Sequence, residues 1–210
     1  YSAPTEWKKL AVAPLNLREK FLYLIDNEIK HVKSGKKGHI IAKMNALVDK
    51  KIIKKLYQAS RAGVKIDLII RGICCLRPGL KYVSENISVI SIVGKLLEHS
   101  RIYYFYNGDQ PKIFLSSADW RPRNLDRRVE ALFPVEQKNL KKRIIKILTM
   151  TLKDNVKARK LLENGSYKKI KQNNKPKFES QIEFYQQSLN TFKNQNQSSQ
   201  AKLLPEKLNL

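Results

Sequence analysis

The spacing of apolar and polar residues predicts that the first third of the chain alternates helix and strand. From residue 17 the apolar side chains recur at steps of three and four, which indicates one buried helical face capped by Asn16. Asp49 is placed to cap a second helix and Gly63 to end it. The predicted order is a helix over residues 17–32, a strand over 39–44, a helix between Asp49 and Gly63 and a strand over 64–70. This order within about thirty residues is typical of a βαβ unit with parallel strands.

Four further apolar runs predict strands, so the fold class is expected to be α/β. These runs cover residues 87–93, 102–106, 113–115 and 129–135. From Lys138 to Leu152 the apolar residues alternate with Lys and Arg, which describes a basic amphipathic helix. Residues 169–210 are rich in Asn, Gln, Ser and Lys and lack apolar periodicity, so we expect a disordered or loosely helical tail that the domain does not need. The predicted folded domain covers residues 1–168.

The stretch from residue 96 to residue 130 carries the residue types that phosphoryl chemistry uses. His99 precedes one predicted strand, and the hydroxyls of Ser116 and Ser117 follow the next. Imidazole can accept or donate a proton near neutral pH, or carry a phosphoryl group itself. Guanidinium groups match phosphate oxygens in pairs. The same stretch supplies four of them near its end, at Arg121, Arg123, Arg127 and Arg128.

Three more polar residues stand where predicted parallel strands end. Arg71 directly follows the strand over 64–70, and open α/β sheets bind ligands outside the carboxyl ends of their parallel strands. We therefore expect Arg71 to meet an anion. Lys43 and Asn45 lie at the end of the strand over 39–44, where they could hold phosphate or, equally, only cap the next helix.

The charge of the chain points to an anionic partner. Lys and Arg number 42 against 18 Asp and Glu among 210 residues, which gives a formal net charge of +24. Such a surface attracts nucleic acid, polyphosphate, nucleotides or an acidic membrane face, and the charge alone names none of them. The apolar runs are far shorter than the roughly 20 residues of a membrane span.

The two cysteines, Cys74 and Cys75, are adjacent and cannot easily form an ordinary disulfide, so we expect reduced, mostly buried thiols in a cytoplasmic chain. Their spacing from the three histidines predicts no zinc site, and no other metal ligands are assigned. The first residues do not resemble a signal peptide. The initial Tyr1 suggests that the sequence is a fragment of a longer protein.

Several long segments resemble the C-terminal catalytic half of polyphosphate kinase. They are IIAKMNALVD, LYQASRAGVKIDLIIRGICCLRPG, SENISVISIVGKLLEHSRIYYFYNG and LSSADWRPRNLDRRVEALFPV, and the resemblance spans about residues 8–168. That half of the family contains two phospholipase D-like domains, and this chain looks like the second. The resemblance implies a phospholipase D-like mixed sheet flanked by helices. It also implies reversible transfer of the terminal phosphate of ATP to polyphosphate through a phosphohistidine.

The resemblance assigns roles to particular residues. Arg71 matches a nucleotide-phosphate ligand, and His99, in LEHSR, matches the second active-site histidine. Glu130 stands where phospholipase D-like domains place an acid that hydrogen-bonds the catalytic imidazole, so we expect it to orient His99. Arg101, Ser117, Arg123, Lys43 and Asn45 complete the expected set of ATP and phosphate ligands. Magnesium is expected to accompany ATP, although the chain offers no clustered carboxylates to hold it.

The chain also departs from the family pattern. The phosphorylated histidine of the family lies in a preceding domain, in a His-Ala-Lys motif, and neither His31 nor His39 stands in such a motif. The isolated chain is therefore expected to make no polyphosphate and to need the upstream domains of the same enzyme, in a homo-oligomer. Arg121 stands where the family more often has Met, a change expected to matter little.

Two other functions stay open at this point. The first is a phospholipase D-like phosphodiesterase or nuclease that completes its site by pairing two chains. Arg101 where such enzymes have Lys, and Tyr106 where they have Asp, speak against it, and nucleic acid is not the expected partner. The second is a non-catalytic module that binds polyanions through its basic surface.

Overall fold

One mixed sheet of nine strands runs through the computed structural model, which describes residues 7–170 and 176–201. In chain order the strands are β1 (Ala11–Ala13), β2 (His39–Met44), β3 (Lys65–Ile70), β4 (Ile87–Ile92), β5 (Ile102–Phe105), β6 (Lys112–Ser116), β7 (Glu130–Pro134), β8 (Ala158–Leu161) and β9 (Tyr167–Lys169). The helices are α1 (Leu17–Lys33), α2 (Lys50–Arg61), α3 (Pro122–Asp126), α4 (Lys138–Leu152) and α5 (Ser180–Ala201).

The sheet combines parallel and antiparallel pairs. Its strands lie in the order β1-β7-β6-β5-β2-β3-β4-β8-β9. β2, β3 and β4 run parallel, and α2 connects β2 to β3. The other neighbouring strands pair antiparallel. The predicted βαβ unit and the mixed sheet flanked by helices are therefore confirmed.

Helices cover both faces of the sheet, so each face has its own apolar core. Ile40 and Ala42 of β2 pack in the larger core with α1 and α2, where Phe21 is fully buried. Ile41 points to the opposite face and packs in the smaller core with Leu148 of α4. This alternation follows from the period of two in a strand. It explains why the central strands are apolar on nearly every residue.

The strand ends that carry the candidate residues meet at one edge of the sheet. β2 and β3 both end there, since Met44 pairs with Ile70 in parallel register. β5 is antiparallel to β2 and begins at this edge, with Ile102 opposite Leu115 near the end of β6. β7 also begins there, beside the end of β6. Loops that are far apart in the sequence therefore converge on one side of the molecule.

The predicted elements agree with the structure in type and differ in their ends by at most two residues. Asp49 caps α2 as expected, its carboxylate accepting the Ile52 N–H at 3.0 Å. Asn16 precedes α1, but its side chain accepts the N–H of Val12 instead of a helical N–H. β1, α3, β8 and β9 are absent from the prediction. They are three to five residues long, and α3, β8 and β9 lack the apolar runs that identify β5 and β6.

The tail is helical over most of its described part. α5 covers Ser180–Ala201, where the composition leaves disorder or a loose helix open. Its first residue is buried and hydrogen-bonded to Asp154, a tertiary contact that the polar composition does not reveal. Residues 171–175 and 202–210 of the predicted tail lie outside the described residues. β9 extends to Lys169, so the predicted boundary at residue 168 falls within the hairpin of β8 and β9.

Two further predictions concern the membrane and the cysteines. Among the described residues, no helix has the length and apolar character needed to cross a bilayer. Cys74 and Cys75 are both free thiols, as expected. Cys74 is half-buried, but Cys75 is exposed, which corrects the expectation that both are buried. The adjacent side chains cannot both enter one core because neighbours on an extended backbone point apart.

Candidate active site

A buried carboxylate, Asp119, lies at the centre of the site. It follows β6 and is 3% exposed. Its Oδ1 accepts the backbone N–H of Asn45 and the Nε–H of Arg101, both at 2.8 Å. Its Oδ2 accepts a further bond from Arg101 Nη2 at 3.3 Å. Asp119 therefore links the end of β2 to the residue just before β5 and fixes both relative to β6.

Arg101 connects this carboxylate to His99. Its guanidinium lies 3.2 Å from His99 Nε2 through Nη2 and 3.4 Å from His99 Nδ1 through Nη1, and it also donates to the His99 carbonyl at 3.3 Å. A neutral imidazole has one acceptor nitrogen, so Arg101 can donate to only one of the two. The ring is exposed at the edge of the site, where an incoming anion can reach it.

Arg71 is held in place by Asn45. Arg71 Nε and Nη2 both donate to the side-chain oxygen of Asn45, at 2.8 and 2.6 Å. Asn45 is itself fixed by Asp119, so the two arginines share one supporting carboxylate directly or through one amide. Gly72 permits this arrangement, because a Cβ at that position would stand 3.0 Å from the Asn45 carbonyl oxygen. The structure thus brings Arg71 and Asn45 together, and Asn45 positions the guanidinium.

Lys43 lies deeper and is 5% exposed. Its ammonium donates to Ser100 Oγ at 2.8 Å and pairs with Glu98 Oε2 at 3.1 Å. Burial lowers the pKa of Lys43, the carboxylate of Glu98 opposes that change, and the charges of Arg71 and Arg101 lower the pKa further. A cavity of about 20 Å³ beside Lys43, Arg71 and Glu98 has room for one water molecule.

The electrostatic balance of the cluster favours an anion. Lys43, Arg71 and Arg101 bring three positive charges together, with His99 beside them, whereas Asp119 and Glu98 supply two negative charges within hydrogen-bonding distance. In a partly buried site each uncompensated charge costs more than in water. A phosphate group that binds here would supply the missing negative charge and accept several donors at once.

The remaining predicted ligands lie around this centre. Ser117 is exposed, and its Oγ accepts the Ala131 N–H at 3.1 Å, so the hydroxyl proton can still be donated to a ligand. Ser116 donates to the Ala131 carbonyl at 2.7 Å and accepts the Ala118 N–H at 3.0 Å, which makes it a structural residue. Arg123 is exposed on α3, and no hydrogen bond brings it to the cluster among the described residues.

Glu130 has a different partner from the expected one. Its buried carboxylate accepts Asn124 Nδ2 at 2.6 Å, and Arg128 Nη1 lies 4.0 Å away. No hydrogen bond joins Glu130 to His99 in the part of the chain that the structure describes. The structure therefore corrects the expectation that Glu130 holds the imidazole directly. Arg101, backed by Asp119, is the group that contacts the ring.

The site carboxylates do not fit a resident magnesium ion. Three donors already occupy the two oxygens of Asp119, and Lys43 pairs with Glu98. Within residues 7–170 and 176–201, no group of three or more His, Cys, Asp or Glu side chains is placed to hold a metal ion. A magnesium ion that arrives with ATP would count as part of the substrate.

Comparison with solved structures places this architecture in the phospholipase D-like class. Nuc, a phospholipase D family member from Salmonella typhimurium, superposes with a TM-score of 0.54 and 13% identity, covering 73% of this chain and 97% of Nuc. Identity at this level shows the fold alone. The structure of polyphosphate kinase from Porphyromonas gingivalis is much more similar, with a TM-score of 0.87 and 41% identity over 92% of this chain and 30% of that one.

Sequence comparison then identifies the family. Residues 10–181 match the family described as polyphosphate kinase C-terminal domain 2. A polyphosphate kinase of Halalkalibacterium halodurans is 55% identical over 186 residues, 88% of this chain and 26% of the relative. One of Synechocystis sp. is 56% identical over 167 residues, 80% of this chain and 23% of the relative. The chain belongs to the polyphosphate kinase family and spans about a quarter of the length of these relatives.

Proposed function

We propose that this chain forms the C-terminal part of the active site of a polyphosphate kinase. The proposed reaction moves the terminal phosphoryl group of ATP to a histidine in an upstream domain, releasing ADP, and then from that histidine to the end of polyphosphate. Both steps are reversible. The observation that carries the proposal is the convergence of Lys43, Arg71, Arg101 and His99 around Asp119 at one edge of the sheet.

The residues around Asp119 have roles that their contacts support, and the exposed Ser117 and Arg123 are assigned by their position at the rim. Arg71 and Arg101 bind phosphate oxygens and offset the negative charge of the transferring group, since phosphoryl transfer depends mainly on positioning and on charge stabilisation. Lys43, which is buried next to these two arginines, adds a further positive charge. His99 donates a proton to the leaving oxygen, or a hydrogen bond to it, and takes the proton back in the reverse reaction. Ser117 and Arg123 contact the outer phosphates, and magnesium enters bound to the nucleotide.

The proposal also covers partners and location. The proposed substrates and products are ATP, ADP and inorganic polyphosphate, and upstream domains of the enzyme supply the phosphorylated histidine. Two free thiols and the use of ATP support a reaction in the cytoplasm. A homo-oligomer is also part of the proposal. Glu130 keeps an indirect role, because its bond to Asn124 holds α3, which carries Arg123.

A chimeric enzyme tests this function. The segment of the Halalkalibacterium halodurans polyphosphate kinase that matches this chain would be replaced by it, and ATP-dependent synthesis of polyphosphate measured. We expect synthesis in the chimera and its loss, by at least about 100-fold, when His99 becomes Ala, because proton transfer and charge stabilisation each contribute on that scale. His31→Ala is the matched control, since His31 lies in the last turn of α1, away from the site edge.

Two results would overturn the proposal. One is a folded chimera that makes no polyphosphate, and the other is a His99→Ala chimera that is as active as its His31→Ala counterpart. DNA hydrolysis by the 210-residue chain would instead favour the phosphodiesterase function. A polyphosphate affinity that is unchanged in the Arg71→Ala, His99→Ala double variant would favour a diffuse polyanion-binding surface.

A further inference from the structure

The start of α5 is fixed to the body of the domain by buried polar contacts. Asp154, which is 1% exposed and lies just after α4, accepts both the backbone N–H and the hydroxyl of Ser180 at 2.8 Å. Its other oxygen accepts three backbone N–H groups of residues 156–158. The Asp154 carboxylate accepts five hydrogen bonds in all and fixes the first turn of α5. Its negative charge also interacts favourably with the positive N-terminal end of the helix dipole.

The next residue, Gln181, binds the loop that carries His99. Its Oε1 accepts the backbone N–H of Leu96 at 2.9 Å, and its Nε2 donates to the Leu96 carbonyl at 2.7 Å. The amide therefore pairs with one residue of the loop as a neighbouring strand would. Gln181 is 3% exposed, so either bond left unmade would cost the full desolvation of a buried amide group.

Gly94 makes this close approach possible. A Cβ at position 94 would stand 2.3 Å from Gln181 Oε1, far inside contact distance. The loop has little apolar packing of its own, because the side chains of Val93, Leu96 and Leu97 are 69%, 57% and 76% exposed. Polar contacts therefore hold the loop, and within the described side chains of α5 it is Gln181 that hydrogen-bonds to it.

His99 lies between two sets of such contacts. On its amino-terminal side is the bond pair from Gln181 to Leu96, and on its carboxyl-terminal side Lys43 binds Ser100 while Arg101 binds Asp119. A loop residue fixed on both sides loses less conformational entropy when it meets a ligand.

We propose that Gln181 is a positioning residue for His99, so that α5 is a working part of the phosphate site. This inference rests on the proposed function only for the nature of the ligand. The prediction is that removing the amide loosens the loop between Ile92 and Ile102 and weakens phosphate binding through His99, while the fold persists.

Hydrogen exchange in the 210-residue chain tests the structural half. We expect Gln181→Ala to accelerate exchange of the Leu96 amide by about fivefold or more, as the loss of one hydrogen bond implies. Gly94→Ala should do the same, since its Cβ displaces the flexible end of Gln181, and the double variant should add little. Gln187→Ala is the matched control: it truncates the same side-chain type on α5, and within the described residues the hydrogen bond of its amide goes to Met150 Sδ of α4 and not to the loop.

Binding of inorganic tripolyphosphate, measured by calorimetry, tests the link to His99. We expect Gln181→Ala to weaken affinity by about two- to tenfold, the range for losing the pre-ordering of one side chain. In a His99→Ala background the same change should have no further effect. A merely structural role for Gln181 would weaken binding equally in both backgrounds.

The two measurements separate the possible failures. Unchanged Leu96 exchange in both Gln181→Ala and Gly94→Ala would overturn the inference whatever the chain does. Faster exchange with unchanged tripolyphosphate affinity, in a chain whose binding depends on Arg71 and His99, would overturn the positioning role and leave the proposed function intact. If neither Arg71→Ala nor His99→Ala changes the affinity for tripolyphosphate, the proposed function is wrong. The exchange data would still decide whether Gln181 holds the loop.

Discussion

Replacing Asp119 with Asn should destabilise the whole domain, because this carboxylate joins the end of β2, at Asn45, to Arg101 just before β5. Asn keeps the shape of the side chain but offers a single acceptor oxygen. That oxygen cannot serve the Asn45 N–H and both Arg101 donors together, as the carboxylate does. The new NH₂ group would also face a guanidinium, which places donor against donor.

The expected magnitude follows from burial. The side chains of Asp119 and Arg101 are 5% and 12% exposed, so the ion pair is largely shielded from water. Breaking a buried ion pair from one side costs about 3–5 kcal/mol. The lower end applies here, at about 3 kcal/mol, because Arg101 keeps its bond to the His99 carbonyl. In a domain of this size that loss lowers the midpoint of thermal unfolding by about 6–12 °C.

Urea unfolding of the wild-type chain and of Asp119→Asn measures this difference. Asp26→Asn is the control: the same chemical change at a surface ion pair, whose Asp26 and Lys55 side chains are 42% and 24% exposed. An exposed pair contributes at most about 1 kcal/mol. If Asp119→Asn costs no more than Asp26→Asn, the carboxylate does not hold the site together, and the assembly described above is refuted.

Two other predictions concern groups outside the site. Burial by itself would raise the pKa of Asp67, but the hydrogen bond from His39 and the charge of Lys65 lower it below the ordinary 3.8. The stability that Asp67 contributes is therefore present above about pH 4 and is lost as the pH falls through the lowered value. Asp67→Asn should be less stable than wild type at about pH 6 in urea unfolding, and the difference between the two should shrink as the pH falls through that range. Burial raises the pKa of Cys74 to about 11, whereas Cys75 is exposed. Iodoacetamide at about pH 8 should therefore alkylate Cys75 and spare Cys74 until the chain unfolds. Equal labelling of the two residues in the native state, measured by mass spectrometry, would contradict this.

The sequence predicts the edge at which the site lies more accurately than the contacts within it. Arg71 and Asn45 follow strands that the apolar runs identify, and parallel strands end together, so their meeting is predictable. Asp119 receives no role from the sequence because its partners are 18 and 74 residues away. A signal was present, since a lone acid directly follows a strand and two hydroxyls, but only the register of β5 and β6 shows which cations it meets.

Glu130 and α5 show why the rest is not predictable. The position of Glu130 in the family pattern places it at the right edge, yet its carboxylate turns to Asn124, a residue only six positions away. The tail is rich in Asn and Gln, a composition that favours disorder because it buries little apolar surface. What holds α5 are single polar contacts from Asp154 and Gln181, and no periodicity records such contacts.

The pairing of β2 with β5 dictates when the site can exist during synthesis of the chain. Lys43 lies opposite Ile102 across this ladder, so the central contact closes a long loop, and pairings of that kind form slowly. A nascent chain that has emerged only as far as residue 105 already carries Lys43, Arg71 and Arg101 but lacks Asp119. Until the ribosome has released the segment after β6, these cations have Glu98 as a counter-charge but lack Asp119, so the phosphate-binding edge should be among the last regions of the domain to become ordered.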